Sequence, residues 1–411
     1  MGSSQKASLF SDLADIPLDP HYALKESFRA DTHPDKVILG SGLYRDDDSQ
    51  PWVLPSVEKA EKIGKKTEDS GRYEYLPISG LESFVSAART VLFGPLDGKE
   101  NRVVSLQTVS GTGANFLGAQ FLAKTLKPSA VWLSNPSWVN HANIWGLAGI
   151  NVKTYPYWDA KNKRLDFERM ISKLETAAPG DVVLLHACAH NPTGVDPTKS
   201  QWESVADVCE RRGLFPFFDC AYQGFASGDL AEDAWAVRHF LKRDTLEMAV
   251  AQSFSKNMGL YGERVGALHL LCGTAKAAMK ARGHLSRFQR GQVSQPPRAG
   301  ARLAATILSD PELFQDWLLD LRKMSGRVEK MRKALYDELI ALRTPGQWDH
   351  IVSQIGMFSY TGLTPEQVAS IQENSHVYLL KSGRISVAGL NSRNVVYVAH
   401  AFDAAVRKHP F

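Results

Sequence analysis

An α/β fold with a mainly parallel sheet is the class that the sequence predicts, on three observations. Between residues 103 and 271, short apolar runs alternate with stretches of helical periodicity, the pattern of strands joined by crossover helices. Polar residues gather just past those runs: Asn135-Pro136-Ser137-Trp138, Asn191-Pro192-Thr193-Gly194, Asp219 and Lys256. The carboxyl ends of strands are where open α/β sheets bind ligands. After Pro296-Pro297 the texture changes to charged helical sequence and then to mixed short strands and helices, which predicts a second, smaller α+β unit.

In order along the chain, Ile16-Pro17-Leu18-Asp19-Pro20 precedes a short helical pattern at 23–28. The two prolines keep this start extended, so an arm that packs on another surface is expected. Gly40-Ser41-Gly42 either lets the backbone approach a ligand or makes a simple turn. A Lys/Glu-rich helix is expected over 56–68, then a turn-rich segment from Gly71 to Leu81 carrying Tyr73 and Tyr75, then a helix over 81–92. Strands are expected at 131–134, 182–185, 214–218 and 249–251, the third weakened by Pro216 inside it. Ser110-Gly111-Thr112-Gly113-Ala114-Asn115 opens a helix that continues through Phe121 and Leu122. Small residues and free amides at a helix N-terminus make an anion site. The glycines do not form a dinucleotide fingerprint: Phe116 stands where the third glycine belongs, and no suitable acid follows about twenty residues on. Residues 300–343 read as one long helix linking the two units. A strand at 356–360, a helix at 364–374 and a strand-like 383–387 follow.

Composition narrows the function classes. The chain has 411 residues, 44% hydrophobic and 22% charged, with a formal net charge of +4. This mild positive balance suits small anions. Without a Lys/Arg block or a basic-aromatic stripe, no nucleic-acid partner is expected. No apolar run approaches the length of a membrane span, so no membrane partner is expected. Cys188, Cys209, Cys220 and Cys272 lack CxxC spacing and read as reduced thiols in an intracellular protein. His186-x-Cys188-x-His190 could line one face of a strand and bind a metal, or pack in the core. With no fourth ligand in view the core reading is taken, and no metal is expected. Residues 1–6 lack a secretory apolar core and an Arg-rich transit pattern, and Lys6 stands where a myristoylation signal needs Ser or Thr. A cytoplasmic location is expected; a processed mitochondrial chain would look the same.

The densest chemistry lies in the segment from Ser253 to Gly266. Lys256 follows the apolar run 248–251 and precedes the run 265–271, in a bend rich in serine and glycine. Its amine can form a Schiff base with a carbonyl while Ser253, Ser255 and Arg264 hold a phosphate, and pyridoxal phosphate has both groups. Asp219 is either a helix cap or, beside a pyridine, the carboxylate that keeps the ring nitrogen protonated. Asn191 and Tyr222 can hydrogen-bond a phenolate oxygen. Trp138 can stack on a ring or pack in the core.

Several segments share one resemblance. They are Pro51-Trp52-Val53-Leu54-Pro55, Tyr75-Leu76-Pro77-Ile78, Ser110-Gly111-Thr112-Gly113, Asn135-Pro136-Ser137-Trp138, the run from His186 to Gly194, the run from Phe218 to Phe225, the lysine segment, and Gly356-Met357-Phe358-Ser359. In order and over nearly the whole chain, they resemble the eukaryotic-type aspartate aminotransferase family, class I pyridoxal-phosphate enzymes of fold type I. The resemblance implies a large domain with a seven-stranded, mainly parallel sheet covered by helices on both faces, plus a small α+β domain built from both chain ends. The implied limits are 1–47 for the arm and part of the small domain, 48–325 for the cofactor-binding domain and 326–411 for the small C-terminal domain. It implies pyridoxal 5'-phosphate as cofactor. The implied reaction is ping-pong transamination of L-aspartate and 2-oxoglutarate to oxaloacetate and L-glutamate, through a Schiff base at Lys256, which also shuttles the proton.

The roles follow residue by residue. Asp219 partners the pyridine nitrogen, with Asn191 and Tyr222 at the phenolate oxygen and His141 in the network behind Asp219. Ser110, Gly111, Thr112, Ser253, Ser255 and Arg264 form the phosphate cup. Trp138 stacks on the ring and, with Asn191, borders the substrate. Arg384 binds the α-carboxylate, assisted by the backbone of Gly42. Arg290 crosses from the neighbouring subunit to the side-chain carboxylate, and Tyr75 reaches the phosphate of the other subunit's cofactor. A homodimer with shared active sites and small dicarboxylic substrates is therefore implied. Two stretches depart from the family's pattern. Ser41-Gly42-Leu43-Tyr44-Arg45 replaces V-G-A-Y-R, and Ser294-Gln295-Pro296-Pro297 replaces S-N-P-P, with Arg287 and Arg298 close to Arg290. They leave a second reading: an aminotransferase of broader specificity acting on aromatic amino acids or kynurenine.

Overall fold

The computed structural model describes residues 8–66 and 73–411. The expectations for residues 1–6, for Gly71 and Arg72 and for the last two residues of the helix at 56–68 lie outside the described residues.

Seven strands make the central sheet: β1 (Val103–Val109), β2 (Val131–Asn135), β3 (Val152–Pro156), β4 (Val182–His186), β5 (Phe215–Cys220), β6 (Met248–Ser253) and β7 (Val265–Leu271). Their order across the sheet is β1-β7-β6-β5-β4-β2-β3. Only β7 runs against its neighbours, pairing antiparallel with both β1 and β6. The mainly parallel α/β reading therefore holds. Successive residues of β4 point into different cores: Val183 and Leu185 join one cluster, Val182 and Leu184 another. The first cluster holds Trp202, Val205 and Phe240 from the helices Lys199–Arg212 and Trp235–Leu241. The second holds Leu117, Trp145 and Leu285 from the helices Ser110–Thr125, Val139–Leu147 and Ala275–Gln292. Helices thus cover both faces, which is why the central strands are apolar throughout.

Pro216 sits inside β5 at no cost to the ladder. Phe215 N donates to Asp181 O at 2.9 Å, so residues of that parity face β4. The missing N–H of Pro216 faces the β6 side, where pairing begins one residue later, at Phe217.

Both chain ends meet in a smaller α+β region. Val37–Ile38 pairs in parallel with Val377–Tyr378, and Phe358–Tyr360 pairs antiparallel with Arg384–Ser386. The single helix expected over 300–343 is instead two, Ala299–Ser309 and Pro311–Ala341. Asp310 breaks it: its side chain accepts from Glu312 N at 2.9 Å and Leu313 N at 3.0 Å, capping the second helix, and Pro311 fills the first helical position. That helix runs unbroken through residues 325 and 326, placing Leu313, Trp317, Val328 and Leu335 in one cluster.

The described arm is a helix, Pro20–Ala30, preceded by chain with Leu9, Phe10, Leu13 and Ile16 exposed. No helix among the described residues is long and apolar enough to cross a membrane.

Candidate active site

Because β1, β4, β5 and β6 run the same way, the residues just past them gather at one edge of the sheet. Because β7 runs the other way, the residue before it arrives at that edge too. The pairings Val265↔Val109 and Gly266↔Ser253 set Arg264 beside Ser110 and the Lys256 segment. Ser110 and Arg264 both take positive φ, 64° and 55°, and Ser110 N donates to Arg264 O at 2.9 Å. Backbone in this region is disfavoured for such residues and is held here by the surrounding structure.

A cup follows from this meeting. Ser110 Oγ lies 3.1 Å from Ser255 Oγ, Arg264 Nη1 donates to Ser255 Oγ at 3.4 Å, and Ser255 N donates to Ser253 Oγ at 3.2 Å. The helix Ser110–Thr125 carries no side-chain cap and no acid in its first turn. Its first amides and positive dipole end are therefore directed at the cup. A Cβ on Gly111 would stand 2.9 Å from Ser253 Cβ, so only glycine allows the helix to start this close.

Asp219 lies in β5 next to a relay of buried groups. His141 Nε2 contacts Asp219 Oδ2 at 2.8 Å, Ser137 Oγ contacts His141 Nδ1 at 2.9 Å and His186 Nε2 at 3.2 Å, and Asn191 N donates to His186 Nδ1 at 3.2 Å. That last bond fixes the proton pattern. His186 Nδ1 accepts, so Nε2 carries the proton and donates to Ser137, whose hydroxyl donates to His141, which donates to Asp219. Burial alone would raise the Asp219 carboxyl. The hydrogen bond from His141, with the charge of Lys256, holds it below the usual carboxylate range. Burial brings His186 down to about 3, so it is neutral.

Lys256 stands between these features, its Nζ 5.2 Å from the centre of the Tyr222 ring. Burial pulls its amine below the ordinary lysine value. Asp219 opposes this, and Arg264 and Arg384 reinforce it. Depressing the pKa enlarges the neutral, nucleophilic fraction of an amine. Burial drives the Tyr222 hydroxyl up, so it stays a donor. Arg384 is 4% exposed. Its Nη1 donates to Asn191 Oδ1 at 3.2 Å, its Nη2 to Gly40 O at 3.1 Å, and its guanidinium lies 4.0 Å over the Phe358 ring. Its Nε is buried and has no partner among the described residues.

A cavity of about 280 Å³ lies among these groups; Arg384 and His141 are not in its lining. Of the residues singled out from sequence, Gly42, Ser110, Gly111, Thr112, Trp138 and Asn191 line it, as do Asp219, Tyr222, Ser253, Ser255, Lys256 and Arg264. A buried amine, an anion cup and an ionised carboxylate in one cavity can capture a carbonyl compound that bears an anionic group.

The sequence profile of the family Aminotransferase class I and II matches residues 34–402. The chain belongs to this family. It is 49% identical over 406 residues to the cytoplasmic aspartate aminotransferase of Schizosaccharomyces pombe, covering 98% of this chain and 99% of that one. It is 48% identical to an L-tyrosine:2-oxoglutarate aminotransferase of Aspergillus ustus, covering 96% of this chain and 78% of that one. The solved aspartate aminotransferase from Saccharomyces cerevisiae cytoplasm superposes with a TM-score of 0.94 at 45% identity, covering 98% and 99% of the two chains.

Class I and II aminotransferases work with pyridoxal 5'-phosphate, and so does this one. Its residues suit that group: the cup and Arg264 for a phosphate, Lys256 for an aldehyde, ionised Asp219 for a pyridine nitrogen. Two of the residues predicted for this aminotransferase stand apart from the cavity. Tyr75 is 84% exposed, and Arg290 is exposed at the end of the helix Ala275–Gln292, donating to Ser294 Oγ. The two regions are stitched together, since Gln289 Nε2 donates to Ile78 O at 2.5 Å and Arg298 Nε to Glu74 O at 3.3 Å.

The shared strand face suggested for His186, Cys188 and His190 does not form. β4 ends at His186, so Cys188 and His190 lie in the following loop, where His190 stacks on Tyr157 with centroids 3.7 Å apart. Sequence reasoning missed Tyr261, which lines the cavity and accepts from Tyr44 N at 3.0 Å; its place five residues after Lys256 was the available signal. It also missed His21, for which no motif gives a signal.

Proposed function

We propose that this aminotransferase exchanges the amino group between L-aspartate and 2-oxoglutarate, giving oxaloacetate and L-glutamate. The observation that carries the reading is the guanidinium of Arg384, buried beside Asn191 with Nε unpartnered among the described residues, next to a cavity that holds a depressed-pKa lysine. A fork of this kind matches a carboxylate. Bound pyridoxal phosphate supplies a carbonyl for the amino group and a protonated ring that takes up the electrons of the broken Cα–H bond. Lys256 holds the cofactor at rest and, once displaced, carries the proton off the substrate Cα. Asp219, kept ionised by His141, holds the proton on the ring nitrogen. Tyr222 and Asn191 donate to the phenolate oxygen, and Trp138 and the backbone of Gly42 border the substrate. Ser110, Gly111, Thr112, Ser253, Ser255 and Arg264 hold the phosphate.

Arg290 and Tyr75 serve the neighbouring copy in a homodimer with shared sites; their exposure on one stitched surface supports this. We retain the division at 1–47, 48–325 and 326–411, with the helix Pro311–Ala341 as a strut common to both domains. The names of the yeast and fission-yeast relatives support a cytoplasmic location.

Turnover of aromatic amino acids is the second reading. Leu43 in the cavity wall and the likeness to the Aspergillus ustus enzyme favour it. The visible spectrum of the holoenzyme separates the two. The cofactor's absorption should shift on adding L-aspartate and return on adding 2-oxoglutarate. A shift with L-tyrosine but none with L-aspartate moves the substrate to the second reading, and a spectrum without bound-cofactor absorption sinks the role of Lys256.

A further inference from the structure

His21 belongs to none of the motifs above, yet it touches the guanidinium on which substrate recognition rests. It is the second residue of the helix Pro20–Ala30, half-buried, with its N–H held by Asp19 at 2.8 Å. Its Nδ1 lies 3.4 Å from Nη2 of Arg384, and the same Nη2 donates to Gly40 O at 3.1 Å. Both hydrogens of Nη2 are thus engaged, the one toward His21 over the longer distance. A carboxylate can grip a guanidinium bidentately in two ways, through Nη1 and Nη2 or through Nε and Nη2, and both need an Nη2 hydrogen. The contact to His21 is the one that an arriving carboxylate displaces.

Resting on the reading of Arg384 as the carboxylate-binding arginine, we propose that His21 is a substrate-binding residue. It yields its Arg384 contact to the α-carboxylate, takes a proton from solvent and donates a hydrogen bond to that carboxylate.

The charges around the ring support the exchange. Asp19 and Lys25 face it from its own helix, Arg384 from the strand Arg384–Ser386, and the Gly40 carbonyl from the segment after Val37–Ile38. Burial, and then Arg384, hold the free imidazole below its ordinary value, so it is neutral near pH 7 and accepts from Arg384. A carboxylate on Arg384 offsets the arginine's charge and adds a negative one, which raises the imidazole. The complex then binds more protons than the free protein. Affinity for a dicarboxylate falls as pH rises between the two values and is level outside them.

The test is calorimetric titration of the holoenzyme with succinate, a dicarboxylate without an amino group. It runs from about pH 5.5 to about pH 8, where histidines titrate, in buffers of different ionisation enthalpy. Wild type should take up part of a proton. It should also lose affinity about five- to tenfold over that range, as follows when bound carboxylate raises the proton affinity of His21 about tenfold. H21N and H21Q should each take up less and show a flatter profile. Equal uptake in all three proteins with succinate still bound overturns the role of His21 alone, and wild type without uptake does so with no variant needed. Absence of succinate binding at every pH overturns the carboxylate reading of Arg384 as well.

Discussion

Single residues in this site have their chemistry set by what surrounds them. Lys256 is an ordinary lysine until burial strips its water; Asp219 would be raised by the same burial but for His141. A relay that begins at a backbone N–H, that of Asn191, fixes which nitrogen of His141 carries the proton, the one that faces Asp219. The identity of both key residues was legible, since a lysine amid serines and an acid ending an apolar strand stand out. Of the relay, only His141 behind Asp219 was given, by resemblance; the parts of Ser137, His186 and the Asn191 N–H were not legible, because these residues are far from Asp219 in sequence. Arg384 gives the prediction at this scale. Replacing it with leucine removes two charge-assisted hydrogen bonds of about 1.5–3 kcal/mol each. kcat/KM should fall at least about a hundredfold for aspartate and aromatic substrates alike, since each amino acid has an α-carboxylate. A loss confined to aspartate in steady-state kinetics would reassign Arg384 to the side-chain carboxylate.

Among the elements, β7 does most to shape the site. Its reversed direction brings Arg264 to the active edge, and Gly266 within it lets the turn at Ser110 pack close: a Cβ there would stand 2.8 Å from Gly111 N. The strand also carries His269, fully buried, with Nδ1 2.8 Å from Ser105 Oγ and Nε2 3.0 Å from Gln252 Oε1. Burial brings this imidazole down to about 3, against an ordinary 6.5. Between those values the unfolded chain binds the proton and the folded one does not, so His269 costs stability as pH falls below about 6.5. The cost is about 2 kcal/mol by pH 5. An H269N variant should be less stable than wild type near pH 7, having lost both partners, and the gap should narrow toward pH 5. Thermal melts that keep the gap constant would contradict a neutral His269. Element boundaries were mostly legible from apolar runs and caps. The helix Val395–Lys408 is absent from the sequence reading although Val395, Val398, Ala399, Phe402, Ala405 and Val406 recur at helical spacing, so its signal was local and legible.

For the whole molecule, the question is what completes each site. Arg290 and Tyr75 are exposed on one surface while the cavity lies elsewhere, and the arm exposes Leu9, Phe10, Leu13 and Ile16. A second copy placed on the surface of Arg290 and Tyr75 would cover those two residues. Mixing inactive K256A with inactive R290L tests it directly. If each site joins Lys256 of one chain to Arg290 of the other, half the randomly exchanged dimers regain one intact site. Activity with aspartate should return to about a quarter of wild type. Mixtures that stay inactive after subunit exchange, shown by size and mass analysis of tagged chains, would place both residues' work within one chain.

The sequence by itself determined the sheet's class, the polar residues past its strand ends and the Lys256 segment. These are local patterns: strand period, glycine and proline punctuation, and side chains whose chemistry is rare at such spacing. The role proposed for Arg384 was reachable only through resemblance, since nothing local marks it. Tertiary structure alone decided the rest. It set the reversed strand that delivers Arg264, the relay from Asn191 to Asp219, the depressed Lys256 and the meeting of His21 with Arg384 across 363 residues. Register, burial and long-range contact are properties of the packed chain, and desolvation has no magnitude until packing excludes the water.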